Sequence, residues 1–187
     1  MAENCVFLSF GRHERYGHDT AILREDMLVA YATGCRLRQI LPPCATVYHS
    51  PLARAVETAR FEALGLKCDN LIETEALEEG ATKFTTQRFL NQLLQNTDDS
   101  VQYYHFVTHM PVVDRLGLAM LDAGDVCLLS AADWQQMMAE NFETQVIRAP
   151  RRLLELWQSI GYTPDSLESL SPDEIYNLLK ILPKNII

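Results

Sequence analysis

Short apolar segments alternate with segments of helical periodicity through the first 130 residues of this 187-residue chain. Residues 5–10 have the length and character of a buried strand. Residues 24–41 then repeat apolar side chains at helical spacing until Pro42 and Pro43 end the helix. Strands that alternate with helices are typical of a mostly parallel sheet covered on both faces.

The alternation continues along the chain. Residues 45–49 resemble a strand, and Ser50 with Pro51 predicts the N-cap and first position of a helix through Leu64, with Gly65 behind it. Helices are then predicted over 85–95 and 111–121, and strands over 102–108 and 125–129. The predicted fold class is therefore α/β, a three-layer α/β/α sandwich around a mostly parallel central sheet.

The pattern changes after residue 130. Residues 130–133 and 171–174 resemble capping boxes, and Thr163 with Pro164 predicts a further helix start. These features predict a helical carboxy-terminal extension over 131–187, joined to a catalytic core over 1–130. Because no linker-like composition separates the two parts, residues 1–187 are predicted to form a single domain.

Charge limits the classes of partner. A net charge of −9 argues against binding to nucleic acid or to an anionic membrane, which requires clustered Lys and Arg. The charge is nevertheless uneven, because residues 1–60 carry seven Arg against six acidic residues. An anion site is therefore expected in the first third of the chain.

The cysteines and the absence of apolar targeting segments bear on the compartment. Five cysteines are scattered with no Cys-x-x-Cys pair, so the sequence predicts neither a disulfide framework nor a thiolate zinc site. No segment resembles a secretion signal or a membrane span. We therefore expect a cytoplasmic protein.

Cationic and imidazole side chains directly follow three of the predicted strands. Arg12 and His13 follow the first strand, Ser50 and Arg54 follow the second, and His109 follows the strand over 102–108. The carboxyl ends of parallel strands meet at one sheet edge, so these groups are expected to converge. Arginine matches phosphate oxygens and imidazole can act as a nucleophile, so the set could hold a phosphoryl dianion without Mg²⁺.

A metal centre is the weaker alternative. His105 and His109 lie four residues apart in a predicted strand, but no nearby carboxylate or cysteine completes a ligand set. No metal and no other cofactor is predicted.

Three ordered motifs resemble those of the histidine phosphatase superfamily, which includes histidine acid phosphatases and phosphoglycerate mutases. Arg12-His13-Glu14 is similar to the family's Arg-His-Gly, and residues 50–59, SPLARAVETA, match its Ser-Pro-Leu-x-Arg-Ala-x-x-Thr-Ala motif. Thr108-His109 matches the third motif. The short connection between the second and third motifs resembles the small SixA-type phosphohistidine phosphatases. The resemblance covers roughly residues 5–130 and implies a phosphoglycerate mutase-like fold.

The resemblance also implies a mechanism. His13, neutral, attacks phosphorus; Arg12, Arg54 and a protonated His109 hold the phosphoryl oxygens, assisted by the helix start at Ser50; and water hydrolyses the phosphohistidine. The implied substrate is a phosphorylated protein, including phosphohistidine, or a small phosphorylated metabolite. The implied general acid is Glu79 or Glu78, with Glu79 preferred, although a solvated acidic turn explains both residues equally well.

One departure from the family pattern keeps other functions open. Glu14 stands where the family has Gly or Ala, and its carboxylate is expected either to repel phosphate or to turn outward. The alternatives are a phosphoglycerate mutase-like phosphotransferase and a catalytically silent phosphate-binding or interaction module.

Overall fold

The computed structural model describes residues 6–17, 22–98, 101, 103–130, 144–150 and 163–181. The strands are β1 (Phe7–Arg12), β2 (Thr46–His49), β3 (Leu71–Glu73), β4 (Tyr103–Thr108), β5 (Val126–Ser130) and β6 (Gln145–Ile147). The helices are α1 (Arg24–Ile40), α2 (Ala53–Leu66), α3 (Lys83–Gln95), α4 (Met110–Arg115), α5 (Pro164–Glu168) and α6 (Pro172–Ile181), and a 3₁₀ turn spans Glu75–Leu77.

The strands form one sheet in the order β3-β2-β4-β1-β5-β6. The four strands from β3 to β1 are parallel, whereas β5 runs antiparallel to both β1 and β6. The predicted mostly parallel sheet is therefore confirmed. The sequence analysis did not predict β3 or β6, each only three residues long.

Alternate side chains of the strands face two separate apolar clusters. Leu8, Tyr48 and Phe106 pack with residues of α3 and α4 on one face. Val47 and Val107 pack with residues of α1 and α2 on the other. This period-2 alternation, with helices on both faces, confirms the three-layer α/β/α architecture.

Two helix boundaries differ from those predicted. Helix α2 begins at Ala53, and its N-cap position is Leu52, so Ser50 does not cap it. Helix α4 ends at Arg115, well short of residue 121, and Gly117 follows with φ +76°. That left-handed conformation suits glycine and is incompatible with continuing the helix.

The carboxy-terminal extension is only partly helical. Helices α5 and α6 form as expected, and Leu167, Ile175 and Leu179 pack against Met27 of α1 and Phe61 of α2. The expectation of helices throughout 131–187 is wrong at β6, which pairs with β5 and extends the sheet. Residues 131–143 and 151–162 lie outside the described ranges.

A chain of buried polar groups lies between the sheet and α2. Ser9 Oγ lies 2.7 Å from Tyr103 Oη and 2.6 Å from His105 Nδ1, and His105 Nε2 lies 2.7 Å from Glu62 Oε2. All four residues are fully buried. Burial of this kind requires each group to keep its partner, because a lost partner leaves the other group desolvated.

Over the ranges the structure describes, no helix is long and apolar enough to cross a membrane.

Helices α1 and α2 approach closely where Gly34 faces Gly65. A Cβ on Gly65 would lie 2.2 Å from Tyr31 O, and one on Gly34 would lie 2.1 Å from Glu62 O. Both neighbours are backbone atoms, which cannot move aside as a flexible side chain can. Gly65 was predicted to follow the end of α2, but it lies within the helix and permits the contact with α1.

We expect Gly65→Ala to destabilise the fold by roughly 1–3 kcal/mol, because the added methyl forces the two helices apart. Urea unfolding would measure the loss. Gly80→Ala is the matched control, since nothing lies within 4 Å of a Cβ there. Equal unfolding midpoints for the two variants would contradict the prediction.

Candidate active site

Three loops that carry the motif residues meet at the carboxyl edge of the parallel strands. Backbone hydrogen bonds join them beyond the strand ends: His13 N donates to Thr108 O at 3.0 Å, and Ser50 N donates to Val107 O at 3.1 Å. The His13 and His109 ring centroids are 4.9 Å apart. The expected convergence at one sheet edge is thus present.

His13 is held with one ring nitrogen facing the protein backbone. Its side chain is buried, and Nδ1 lies 2.7 Å from the carbonyl oxygen of Glu14. A carbonyl oxygen only accepts hydrogen bonds, so Nδ1 carries the proton. Nε2 then has a free lone pair, which accepts a hydrogen bond from Arg54 Nε at 3.2 Å.

The surroundings keep His13 neutral. Burial is the main cause that lowers its pKa to about 4. The hydrogen bond to the Glu14 carbonyl raises the pKa, whereas the charges of Arg54 and Arg12 lower it further. A neutral imidazole with an unprotonated Nε2 is the form that attacks an electrophile.

His109 is also buried and neutral. Burial, together with the charges of His13 and Arg54, lowers its pKa to about 3, which disfavours the protonated ring. Its Nε2 lies 2.7 Å from Ser50 Oγ, which also accepts a hydrogen bond from Leu52 N at 3.3 Å. When the Ser50 hydroxyl donates to Nε2, the His109 proton resides on Nδ1.

Two buried donors of the site have no hydrogen-bond partner in the part of the chain that the structure describes. They are His109 Nδ1 and Arg12 Nε. Arg12 Nη1 is fixed by Leu121 O at 2.9 Å, so its guanidinium is held in place. Buried donors are almost always paired in native proteins, and an anion that reaches both would satisfy them.

Glu79 joins the same cluster through Arg54. Its Oε2 lies 2.6 Å from Arg54 Nη2, and the Glu79 side chain is 51% exposed against 12% for Arg54. The carboxylate is therefore the partner with freedom to move. Glu78 instead uses its backbone N–H to close the 3₁₀ turn on Glu75 O. Of the two predicted carboxylates, the structure brings Glu79 to the site.

The architecture is similar to that of several solved phosphatase structures. The SixA protein of Nakamurella multipartitia superposes with a TM-score of 0.58 at 17% identity, covering 78% of this chain and 97% of that one. The protein histidine phosphatase SixA in complex with tungstate superposes with a TM-score of 0.59 at 14% identity, covering 66% of this chain and 86% of that one. The chain has the histidine phosphatase fold.

A further similar structure is mycobacterial glucosyl-3-phosphoglycerate phosphatase, with a TM-score of 0.53 at 12% identity over 78% of this chain and 99% of that one. No family model and no curated protein sequence matches the chain. The expected phosphoglycerate mutase-like fold is confirmed by these structural likenesses.

In this example of the histidine phosphatase fold, Glu14 turns into the protein. Its side chain is fully buried, and its backbone N–H donates to Thr58 Oγ1 at 3.1 Å. The carboxylate packs against Gly124, where a Cβ would lie 2.1 Å from Glu14 Oε1. Of the two alternatives for Glu14, the outward orientation is therefore excluded, and Gly124 supplies the space for the carboxylate.

Two residues that the sequence analysis missed complete the rim of the site. Arg115 Nη1 donates to Glu79 O at 2.8 Å and to Ala81 O at 2.7 Å, which anchors the loop that carries Glu79. Tyr16 is half exposed, and its ring contacts His13 edge-on at 5.6 Å and faces Arg54. Neither residue belongs to a motif, and only the folded chain brings them here.

No metal-ligand cluster accompanies these groups: within the described ranges, no three His, Cys, Asp or Glu side chains are grouped to hold a metal ion. His105 is engaged with Ser9 and Glu62 on the α2 face of the sheet.

The lowered pKa of His13 has a consequence for stability. Above pH 6.5 the ring is neutral in the folded and the unfolded chain, so it contributes nothing to the pH dependence. Between pH 6.5 and about 4 only the unfolded chain binds the proton, so the fold loses stability as the pH falls. The wild-type chain should lose on the order of 3 kcal/mol of unfolding free energy over this pH range because of His13, and His13→Asn should remove that loss.

Urea unfolding of both proteins at several pH values would test this expectation. The difference in unfolding free energy between wild type and His13→Asn should be constant above pH 6.5 and should shift in favour of the variant towards pH 4. A difference that does not change with pH would show that His13 has no depressed pKa.

Proposed function

We propose that this protein is a phosphatase that forms a phosphohistidine on His13 and hydrolyses it without needing a metal ion. The observation that carries the proposal is the His13 Nε2 lone pair, which faces Arg54 near Arg12 Nε and His109 Nδ1, two buried atoms without a partner among the described residues. Fixed cationic donors around a nucleophile match the charge that develops during phosphoryl transfer.

In the first step, His13 Nε2 attacks phosphorus, the Nε2–P bond forms and the bond to the leaving oxygen breaks. Arg12, Arg54 and His109 donate to the phosphoryl oxygens. A dianion competes with Glu79 for Arg54, and the exposed Glu79 carboxylate is the group that moves away. Glu79, once released from Arg54, takes a proton from solvent and gives it to the leaving oxygen.

In the second step, Glu79 accepts a proton from water, whose oxygen attacks the phosphorus of phosphohistidine. The P–Nε2 bond breaks, inorganic phosphate leaves and His13 regains its lone pair. The Glu14 carbonyl keeps the Nδ1 proton in place throughout, so Nε2 remains the reacting atom.

The substrate class remains within the range that the sequence predicts, a phosphorylated protein, including phosphohistidine, or a small phosphorylated metabolite. Proteins of similar fold are named for both kinds of substrate, a protein histidine phosphatase and a glucosyl-3-phosphoglycerate phosphatase. We also propose a cytoplasmic location.

Hydrolysis of p-nitrophenyl phosphate and of a phosphohistidine peptide, both with EDTA present, tests the proposal. We expect His13→Ala to abolish turnover and Arg54→Ala or His109→Ala to lower it about 10²- to 10³-fold. Arg60→Ala is the matched control, because Arg60 also lies on α2 but pairs with Asp173. Activity in His13→Ala, or loss of the wild-type activity in the presence of EDTA, would overturn the mechanism. Phosphate binding without turnover would favour the silent binding module.

A leaving-group comparison tests Glu79 separately. General acid catalysis matters most when the leaving oxygen is strongly basic. We expect Glu79→Gln to lower kcat/KM, which reports the first step alone, by about 10²-fold or more on an alkyl phosphate and by much less on p-nitrophenyl phosphate. Glu78→Gln is the matched control. Equal losses on the two substrates, or equal losses in the two variants, would exclude Glu79 as the acid.

A further inference from the structure

Cys44 and Cys68 lie side by side at the amino-terminal edge of the sheet, although 24 residues separate them in the chain. Strand β2 pairs in parallel with β3, with Val47 opposite Leu71, an offset of the same 24 residues. Continued three residues towards the start of both strands, this register sets Cys44 opposite Cys68.

Hydrogen bonds hold the two segments together at this point. Val47 N donates to Asn70 O at 2.9 Å, and the Asn70 side-chain amide donates to Thr46 Oγ1 at 2.8 Å. Paired strands lie about 4.8 Å apart, and disulfide-bonded residues have Cα atoms about 4.4–6.8 Å apart. The register and the strand spacing therefore predict a backbone separation within the range that a disulfide needs.

The side chains also meet. The two thiols lie close enough to affect each other's ionisation, and each donates to a nearby carbonyl, Cys44 Sγ to Thr46 O at 3.4 Å and Cys68 Sγ to Asn70 O at 3.6 Å. Both residues pack with Val47 and Tyr103 in the apolar cluster between the sheet and α1 and α2, so they lie on the same face. Cys44 is only half-buried, which leaves a route from solvent to the pair.

The contact gives the two thiols different reactivity. The interaction with Cys44 lowers the pKa of Cys68 to about 6, while the pKa of Cys44 is raised. In contrast, burial raises the pKa of both Cys35 and Cys127. Because the thiolate is the nucleophile, Cys68 is the cysteine among these four that reacts first with an electrophile at neutral pH.

We propose that Cys44 and Cys68 form a redox-active dithiol that a hydroperoxide converts to an intrachain disulfide. The Cys68 thiolate attacks a peroxide oxygen, so the S–O bond forms, the O–O bond breaks and hydroxide leaves as water. The Cys44 sulfur then attacks the Cys68 sulfenic acid, so the S–S bond forms and the S–O bond breaks. The released hydroxide takes the Cys44 proton, and two thiols and one hydrogen peroxide give one disulfide and two waters.

The disulfide would close the segment 44–68, which contains β2, Ser50, Arg54 and α2. A cross-link of this kind restricts the unfolded chain and so raises stability. Cys44 lies before β2 and Cys68 before β3, whereas Ser50 lies beyond the other end of β2, so the site should keep its geometry. The inference is independent of the proposed phosphatase activity.

Peptide mapping tests the bridge directly. The fully reduced chain is treated with hydrogen peroxide, alkylated and digested with trypsin, which places each of the five cysteines in a different peptide. We expect peptide 39–54 to be joined to peptide 68–83, the intact chain to lose two hydrogens in mass, and dithiothreitol to reverse both changes. The thermal unfolding midpoint should rise on oxidation.

Cys44→Ser and Cys68→Ser should each abolish the cross-link and the rise in midpoint, whereas the matched control Cys35→Ser should retain both. Circular dichroism would establish that the variants fold. Retention of all thiols by the wild-type chain under peroxide, or a cross-link between any other pair of peptides, would overturn the proposal.

Discussion

The parallel alignment of β2, β4 and β1 is the constraint on which the candidate site depends. Arg12 is paired with Thr108 and His49 with Val107, so the three strands end at the same level of the sheet. The hydrogen bonds from His13 N and Ser50 N carry this alignment one residue beyond the strands. Side chains from positions 13 and 109 can therefore meet without support from any long loop.

Burial then sets the chemistry of the groups that meet. Removal of water makes both imidazoles neutral, whereas guanidinium groups keep their charge in almost any surroundings. The result is a division between uncharged imidazoles and fixed cationic guanidinium groups. The Glu79 carboxylate balances Arg54 from the exposed rim, where it can be displaced.

Local patterns predicted most of the core of this fold. The extent of α1, the positions of β2 and β4 and the grouping of residues after the strand ends were all evident from periodicity and from Gly and Pro. Strand β3 was missed because it has three residues, all exposed, and thus no apolar pattern. The end of α4 was misplaced because the left-handed turn at Gly117, and not apolar periodicity, decides it.

The features that the sequence did not predict depend on contacts between distant residues. Ser50 has the appearance of an N-cap, but its hydroxyl faces His109, 59 positions away. Gly124 leaves room for the Glu14 side chain, and Arg115 anchors the loop that carries Glu79. No local sequence pattern predicts either contact. The adjacency of Cys44 and Cys68 follows from strand register, which exists only once β2 and β3 have paired.

The buried chain from Tyr103 through Ser9 and His105 to Glu62 links the core to the site in one further way. Ser9 is the register partner of His105, so the hydroxyl and the ring face each other only in this alignment of β1 and β4. A slip of one residue would turn Ser9 to the opposite face of the sheet and leave Glu62 and His105 facing apolar side chains. These buried polar contacts thus favour one register of β1 against β4 within an apolar core. That register in turn sets the distance between His13 and His109.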